Sequence, residues 1–317
     1  MEALSALVPL AINIGIDPEI FEVVGLEITW HGLFTALGVV VGVVVAAFLG
    51  RRAGIDEDTI YNMALALVVG GIIGARTLYV LEHLGDFSDD PAEVFAIYTG
   101  GISIYGALIG GTLGAAAYAA WRRLPRWGAM ADVAAIGAIL GMAVGRIGCF
   151  INGDIYGRTT DWPIGLVYTH SDSPAYPIYS AVPPELAQHP VTVYEILGDL
   201  AIFALLLFVL RRVFKRDGMI FFSWVFLYAA LRFGVSFLRG TEIGGGLQMA
   251  GVWIGDDLVA AGLRVAQLIA LAMMVLAPLA AAYVLTRRGP ARAERRRLAR
   301  AEPPAEPPAV GEEADSD

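Results

Sequence analysis

The chain has 317 residues, 57% hydrophobic and only 17% charged, with a formal net charge of −9 and one cysteine, Cys149. Soluble domains carry about a quarter charged residues, so the composition argues against a soluble fold. The basic residues form no stripe that would suit nucleic acid, a lone cysteine rules out an intrachain disulfide, and His31, His83, His170 and His189 are scattered without metal-ligand spacing, so no metal or cofactor is expected.

Residues 1–28 carry no Lys or Arg ahead of a mild apolar stretch and do not read as a cleaved signal peptide. They are expected as a short segment lying at a membrane interface, or else as a disordered tail. Seven apolar runs follow, at 29–50, 59–83, 101–121, 129–151, 191–210, 219–239 and 263–286. Each approaches the roughly 20 residues that a helix needs to cross the hydrocarbon core. Only helices and closed barrels satisfy their backbone in lipid, and these runs lack the alternation of barrel strands. The expected fold is all-α: a polytopic membrane protein whose residues 29–286 form one domain of seven transmembrane helices. Residues 287–317 begin basic and end Pro- and Glu-rich, and are expected as a disordered cytoplasmic tail.

Loop charge gives an orientation. Arg51 and Arg52 follow the first run, Arg122, Arg123 and Arg126 the third, Arg211, Arg212, Lys215 and Arg216 the fifth, and a dense basic run the seventh. The opposite loops are acidic or neutral, as at Asp86, Asp89, Asp90 and Glu93. The positive side is expected in the cytoplasm, which puts the N-terminus outside and the C-terminus inside.

Arg76, Arg146, Arg158, Arg232, Arg239 and Arg264 fall outside those basic loops. Arg76, Arg146 and Arg232 lie within apolar runs, where an ionised side chain is costly unless paired or functional. At 1.5 Å per residue, Arg76 and Arg146 stand about 25 Å above the basic side and Arg232 about 20 Å. His31, Tyr105, Tyr194 and Glu195 belong to the same outer slab. Snorkelling to the headgroups is the simpler reading for Arg239 and Arg264. For the deeper three, guanidinium forks at headgroup depth suit a phospholipid phosphate. Structural pairs such as Arg146–Asp154 or Arg232–Glu195 are compatible with either reading. Glycines four apart at Gly70/Gly74, Gly106/Gly110/Gly114 and Gly137/Gly141/Gly145 read as close helix packing.

The densest segment is Gly145-Arg146-Ile147-Gly148-Cys149-Phe150-Ile151-Asn152-Gly153-Asp154-Ile155-Tyr156-Gly157-Arg158, an apolar helix ending in a polar, glycine-punctuated turn. It resembles the G-R-x-G-N-F-x-N-x-E-x-x-G signature of bacterial prolipoprotein diacylglyceryl transferases. The resemblance spans roughly residues 28–240 and includes Trp30-His31-Gly32, Gly74-Ala75-Arg76, Gly101 to Gly106, His189-Pro190 to Tyr194-Glu195, and Arg232 to Arg239.

That resemblance implies transfer of the diacylglyceryl group of phosphatidylglycerol to the lipobox cysteine of a prolipoprotein, forming a thioether and releasing glycerol 1-phosphate. It implies a multi-pass protein of the bacterial cytoplasmic membrane, active toward the outer leaflet, with phosphatidylglycerol, the lipobox peptide and membrane lipids as partners. It further implies that Arg146 and Arg232 hold the phosphate and that Asn152, Asp154 and Gly157 shape the site; Arg76 and Arg239 are further candidates for lipid contact, with Cys149, Tyr194, Glu195 and His189 as candidate supporting residues. The chain departs from the family at Cys149 (Asn in the family), Asp154 (Glu) and Ser236 (an acid). It also has His31 where many members have Tyr, and Tyr105 where they have His. His31, or Tyr105 in a network, is a candidate base for the thiol; an aromatic-belt position is the other reading of His31. Cys149 reads as a small hydrophobe more readily than as a nucleophile. Asp154 is a candidate to orient Arg146, bind a glycerol hydroxyl or cap the helix. A transporter of a small anion and a noncatalytic lipid-binding homologue are the alternatives.

Overall fold

In the computed structural model, the chain is described at residues 11–23, 26–87, 91–95, 101–176, 187–240, 247–249, 252–254, 263 and 265–286. Seven helices are long and apolar enough to cross a membrane. They are α1 (Trp30–Arg52), α2 (Glu57–Glu82), α3 (Ile104–Trp121), α4 (Trp127–Asn152), α5 (Val191–Val213), α6 (Met219–Ser236) and α7 (Val265–Thr286). Their bounds fall within a few residues of the seven apolar runs. Helix α5 continues through a π turn at Leu205–Leu210. Large apolar side chains such as Leu65, Ile73, Leu108, Leu113 and Leu276 lie exposed around the bundle, as a lipid-facing surface requires. The tail 287–317, the first ten residues and Arg264 lie outside the described residues.

The glycine stripes bring helices together in two pairs. Gly38 and Gly42 of α1 meet Gly137 and Gly141 of α4, so closely that a Cβ on Gly42 would stand 3.0 Å from the Gly137 carbonyl oxygen. Gly70 and Gly74 of α2 pack the same way on Gly106, Gly110 and Gly114 of α3. Without hydrogen at these positions replaced by bulk, backbones approach to dispersion contact, the main attraction available between helices in lipid. Helix α4 is the hub and packs on α1, α5 and α6, while α6 also carries α7. Ile136, Ile139, Ile202, Leu206 and Ile220 fill the core among these helices.

The Lys/Arg-rich end of the bundle is tied by polar contacts. Asp132, 1% exposed on α4, accepts from the backbone N–H of Gly218 (3.0 Å) and of Phe221 (2.9 Å). It thereby caps α6, whose own N-cap, Gly218, offers no side chain. Arg126 donates to the Ala53 carbonyl (2.7 Å) and sits 3.6 Å from Asp217, joining the ends of α1, α4 and α6.

The other end carries small strands that the sequence reading did not foresee. Strands β1 (Ile12–Ile14), β4 (Thr159–Thr160), β5 (Leu166–Tyr168) and β6 (Ala187–Gln188) form one sheet in the order β1-β5-β6-β4. β1 runs parallel to β5, with Ile14 opposite Tyr168; the remaining pairs are antiparallel. β2 (Glu19–Val23) and β3 (Leu26–Thr29) form a hairpin that leads into α1. A third pair, β7 (Leu247–Met249) and β8 (Val252–Ile254), precedes α7. The described part of residues 12–29 is therefore built of three strands and is not a disordered tail. The two- and three-residue strands of the four-stranded sheet have too few positions to show an alternating pattern. Thr29 caps α1 by accepting from the Gly32 N–H (3.1 Å).

Candidate active site

The site is built where α4 ends. Gly153 stops the helix in the left-handed conformation (φ 80°), which a side chain there would strain, and its N–H donates to the Cys149 carbonyl (3.0 Å). Two more carbonyls of that last turn are taken by side chains from the β5 region: Tyr168 Oη donates to Phe150 O (2.6 Å) and Ser173 Oγ to Asn152 O (2.7 Å). The sheet thus fixes the end of α4 and the loop that leaves it. That loop is zipped to two other elements. Arg158 N–H donates to Leu238 O (2.8 Å), Gly240 N–H to Tyr156 O (3.1 Å), and Gly157 pairs with Arg239 as an isolated bridge. Gly157 N–H also donates to Gln188 Oε1 (2.9 Å).

This zipping brings three arginines onto one acid. Glu195, on α5 and 3% exposed, lies 3.1 Å from Arg146 Nε, 2.9 Å from Arg232 Nη1 and 3.0 Å from Arg239 Nη2. Three guanidiniums from α4, α6 and the segment after α6 thus share a single carboxylate, leaving the cluster positive. Arg146 meets Glu195 through Nε, and its two terminal nitrogens make no other hydrogen bond among the described residues. Asp199, one turn further along α5 and 1% exposed, has both carboxylate oxygens without a hydrogen-bond partner among the described residues. Its acid at i+4 from Glu195, inside an apolar run, is the signal that sequence reasoning passed over.

A second cluster lies beside it. His31, at the start of α1, has Nδ1 2.5 Å from Asp154 Oδ2 and 3.4 Å from Cys149 Sγ. An ionised carboxylate only accepts, so Nδ1 carries the proton; in the neutral imidazole Nε2 then keeps the lone pair, and Nε2 has no hydrogen-bond partner among the described residues. The side chains of His31 and Asp154 are partly exposed, while Cys149 is buried.

Several expected placements differ. Asp154 pairs with His31 and not with Arg146, because the left-handed turn at Gly153 takes the chain out of the helix direction. The Arg232–Glu195 pair forms as the sequence allowed. Arg239 reaches the cluster instead of snorkelling. Arg76 is 7% exposed and bonds the carbonyls of Val94 (2.8 Å), Glu93 (2.5 Å) and Gly101 (2.9 Å), so its contacts hold the connection before α3. Tyr105 stands in the first turn of α3 and makes no hydrogen bond or ring contact among the described residues. Asn152 is buried, and its Oδ1 has no hydrogen-bond partner among the described residues. His189 meets the Trp162 ring edge-on and its Nδ1 lies 3.5 Å from Tyr194 Oη, beside the start of α5.

The chain is thus a multi-pass membrane protein with an arginine-rich centre beside the end of its hub helix. The profile of one family, prolipoprotein diacylglyceryl transferase, matches residues 18–283. A phosphatidylglycerol–prolipoprotein diacylglyceryl transferase of Trichormus variabilis is 32% identical over 282 residues, covering 86% of this chain and 91% of its own. Proteins of the same name from Dehalococcoides mccartyi (34% over 267 residues; 84% and 92%) and Clostridium tetani (32% over 229 residues; 72% and 87%) are also similar. The chain belongs to the prolipoprotein diacylglyceryl transferase family and is a membrane-embedded enzyme, which decides against the transporter and noncatalytic alternatives.

Proposed function

We propose that the chain transfers the diacylglyceryl group of phosphatidylglycerol to the lipobox cysteine thiol of a prolipoprotein, with Arg146 and Arg232 receiving the phosphate and His31 taking the thiol proton. The observation that supports this reading most is the meeting of Arg146, Arg232 and Arg239 on Glu195. One carboxylate cannot use all the donors of three guanidiniums, so a phosphate can join through the terminal nitrogens of Arg146 without displacing it. In a water-poor site these fixed charges favour the negative charge that grows on the leaving phosphate oxygen.

The reaction forms one S–C bond and breaks one C–O bond. His31 Nε2 accepts the proton of the lipobox thiol, since the thiolate is the nucleophile. The thiolate attacks the glycerol carbon in line with its bond to phosphate, and glycerol 1-phosphate departs held by the arginines. Asp154 keeps the imidazole in the tautomer that has Nε2 open, the role an acid plays behind a catalytic histidine. Asn152 Oδ1, buried and unpaired, is suited to accept from a glycerol hydroxyl. Tyr105 lies apart from His31's hydrogen bonds, so the base is assigned to His31 alone. The site faces the outer leaflet of the bacterial cytoplasmic membrane, as the loop charges indicate.

Purified protein, phosphatidylglycerol and a lipobox peptide, scored by mass spectrometry for diacylglyceryl-peptide, test the assignment. Arg146→Ala is expected to abolish product, and Arg146→Lys to lose most of it, because an ammonium cannot reproduce a planar fork. Full activity in Arg146→Ala would reject the phosphate role.

A further inference from the structure

We propose that His31, Cys149 and Asp154 form a binding site for a divalent transition-metal ion of the zinc class, and that an ion seated there switches the transferase off. The ligand atoms, His31 Nδ1, Cys149 Sγ and an Asp154 carboxylate oxygen, lie within 4.8 Å of one another. They come from the first turn of α1, the last turn of α4 and the loop beyond it, so only the packing of α1 on α4 brings them together.

The arrangement is unlike a nucleophilic triad. There, the nucleophile and the acid sit on opposite nitrogens of the imidazole. Here Sγ (3.4 Å) and Oδ2 (2.5 Å) both face Nδ1, so three donors converge on one point. Tetrahedral zinc with bonds of about 2.0–2.3 Å holds its donors about 3.3–3.6 Å apart. The sulfur–nitrogen separation already fits. The oxygen–nitrogen pair must open by about 1 Å, which Asp154, on the loop beyond α4, can supply. One nitrogen, one sulfur and one oxygen form a borderline-soft set that suits zinc, and calcium or magnesium prefer oxygen alone. The fourth position stays open to water. The side chains of His31 (46% exposed) and Asp154 (26% exposed) leave a way in. On binding, the thiol and the Nδ1–H each lose their proton to solvent and the metal takes both places. A second trio, Asp17, His170 and Asp172, has no sulfur.

Inhibition follows from the same nitrogen. Imidazole metallated at Nδ1 carries its proton on Nε2 and cannot accept another from a thiol. This step rests on the reading of His31 as the base; the metal site itself does not.

Cobalt(II) titrated into the purified protein in nonionic detergent tests the site, because thiolate-to-cobalt charge transfer absorbs in the near ultraviolet. Cys149 is the only cysteine in the chain, so such a band reports this thiol alone. The expected result is a band that saturates at one equivalent and is removed by zinc, with half-saturation moved upward at least tenfold in His31→Gln and in Asp154→Asn. No band at one equivalent, or a band unaltered in both variants, overturns the site. Zinc is also expected to stop diacylglyceryl transfer, and Cys149→Ala to raise the half-inhibitory concentration at least tenfold. Saturation of the band with transfer intact overturns the inhibitory role. Full activity in His31→Gln without zinc is the separate result that would remove His31 as the base.

Discussion

Glu195 holds three like charges together inside the bundle. Removing one partner of a buried ion pair costs about 3–5 kcal/mol, because the charges left behind lose their compensation. Glu195→Gln is therefore expected to lower the thermal midpoint in detergent by several degrees, with Glu195→Asp retaining part of the stability; an unchanged midpoint would show that lipid or water already compensates the arginines. In the proposed mechanism Asp154 acts on rate and not on lipid affinity. Asp154→Asn is expected to reduce kcat about 100-fold, within the range of a general base set in the wrong tautomer, with KM for phosphatidylglycerol little altered. A change confined to KM would move Asp154 to lipid binding. At this scale the sequence was readable in part. Depth along each helix placed Arg146, Arg232 and Glu195 in one slab, because 1.5 Å per residue needs no tertiary knowledge. It could not tell which acid each arginine chooses: the turn at Gly153 redirects Asp154 to His31, and a backbone bridge from Gly157 carries Arg239 inward.

The helices act as pairs. α1 carries His31 and α4 ends at Asn152, two residues before Asp154, so the Gly38/Gly42 contact with Gly137/Gly141 sets the distance between His31 and Asp154. Gly42→Leu is expected to force the two apart and to lose both activity and about 1–3 kcal/mol of stability, the usual range for overpacking. Gly110→Leu inflicts the same crowding on the α2–α3 contact, where a Cβ would lie 2.7 Å from the Gly74 Cα. It is expected to cost similar stability yet leave more activity, because neither helix carries the His31–Asp154 pair. Equal loss of activity per degree of melting in both variants would refute the distinction. The glycine spacing was legible as packing, and which helix each stripe faces was not. Nor were the strands of the four-stranded sheet, which are two or three residues long and gain their register from partners far along the chain, as Ile12 does from Leu166.

Over the whole molecule the seven spans were evident, because the length of an apolar run is fixed by the bilayer and not by neighbouring helices. The loop charges predict the orientation, which labelling can check. In a Cys149→Ser background, a cysteine at Asp86 is expected to react with a membrane-impermeant maleimide in intact cells, and one at Lys215 only after permeabilisation. The reverse pattern would invert the protein.

The grip of Asp132 on the first turn of α6 has a consequence at the far side of the bilayer. Two smooth apolar helices can slip past each other at little expense, and a slip of a single residue would carry Arg232 about 1.5 Å up or down. Misplacements of that size can cost a reaction about 100-fold. A carboxylate bolted to the foot of α6 forbids the slip, so the level of Arg232 near one face is surveyed from the other.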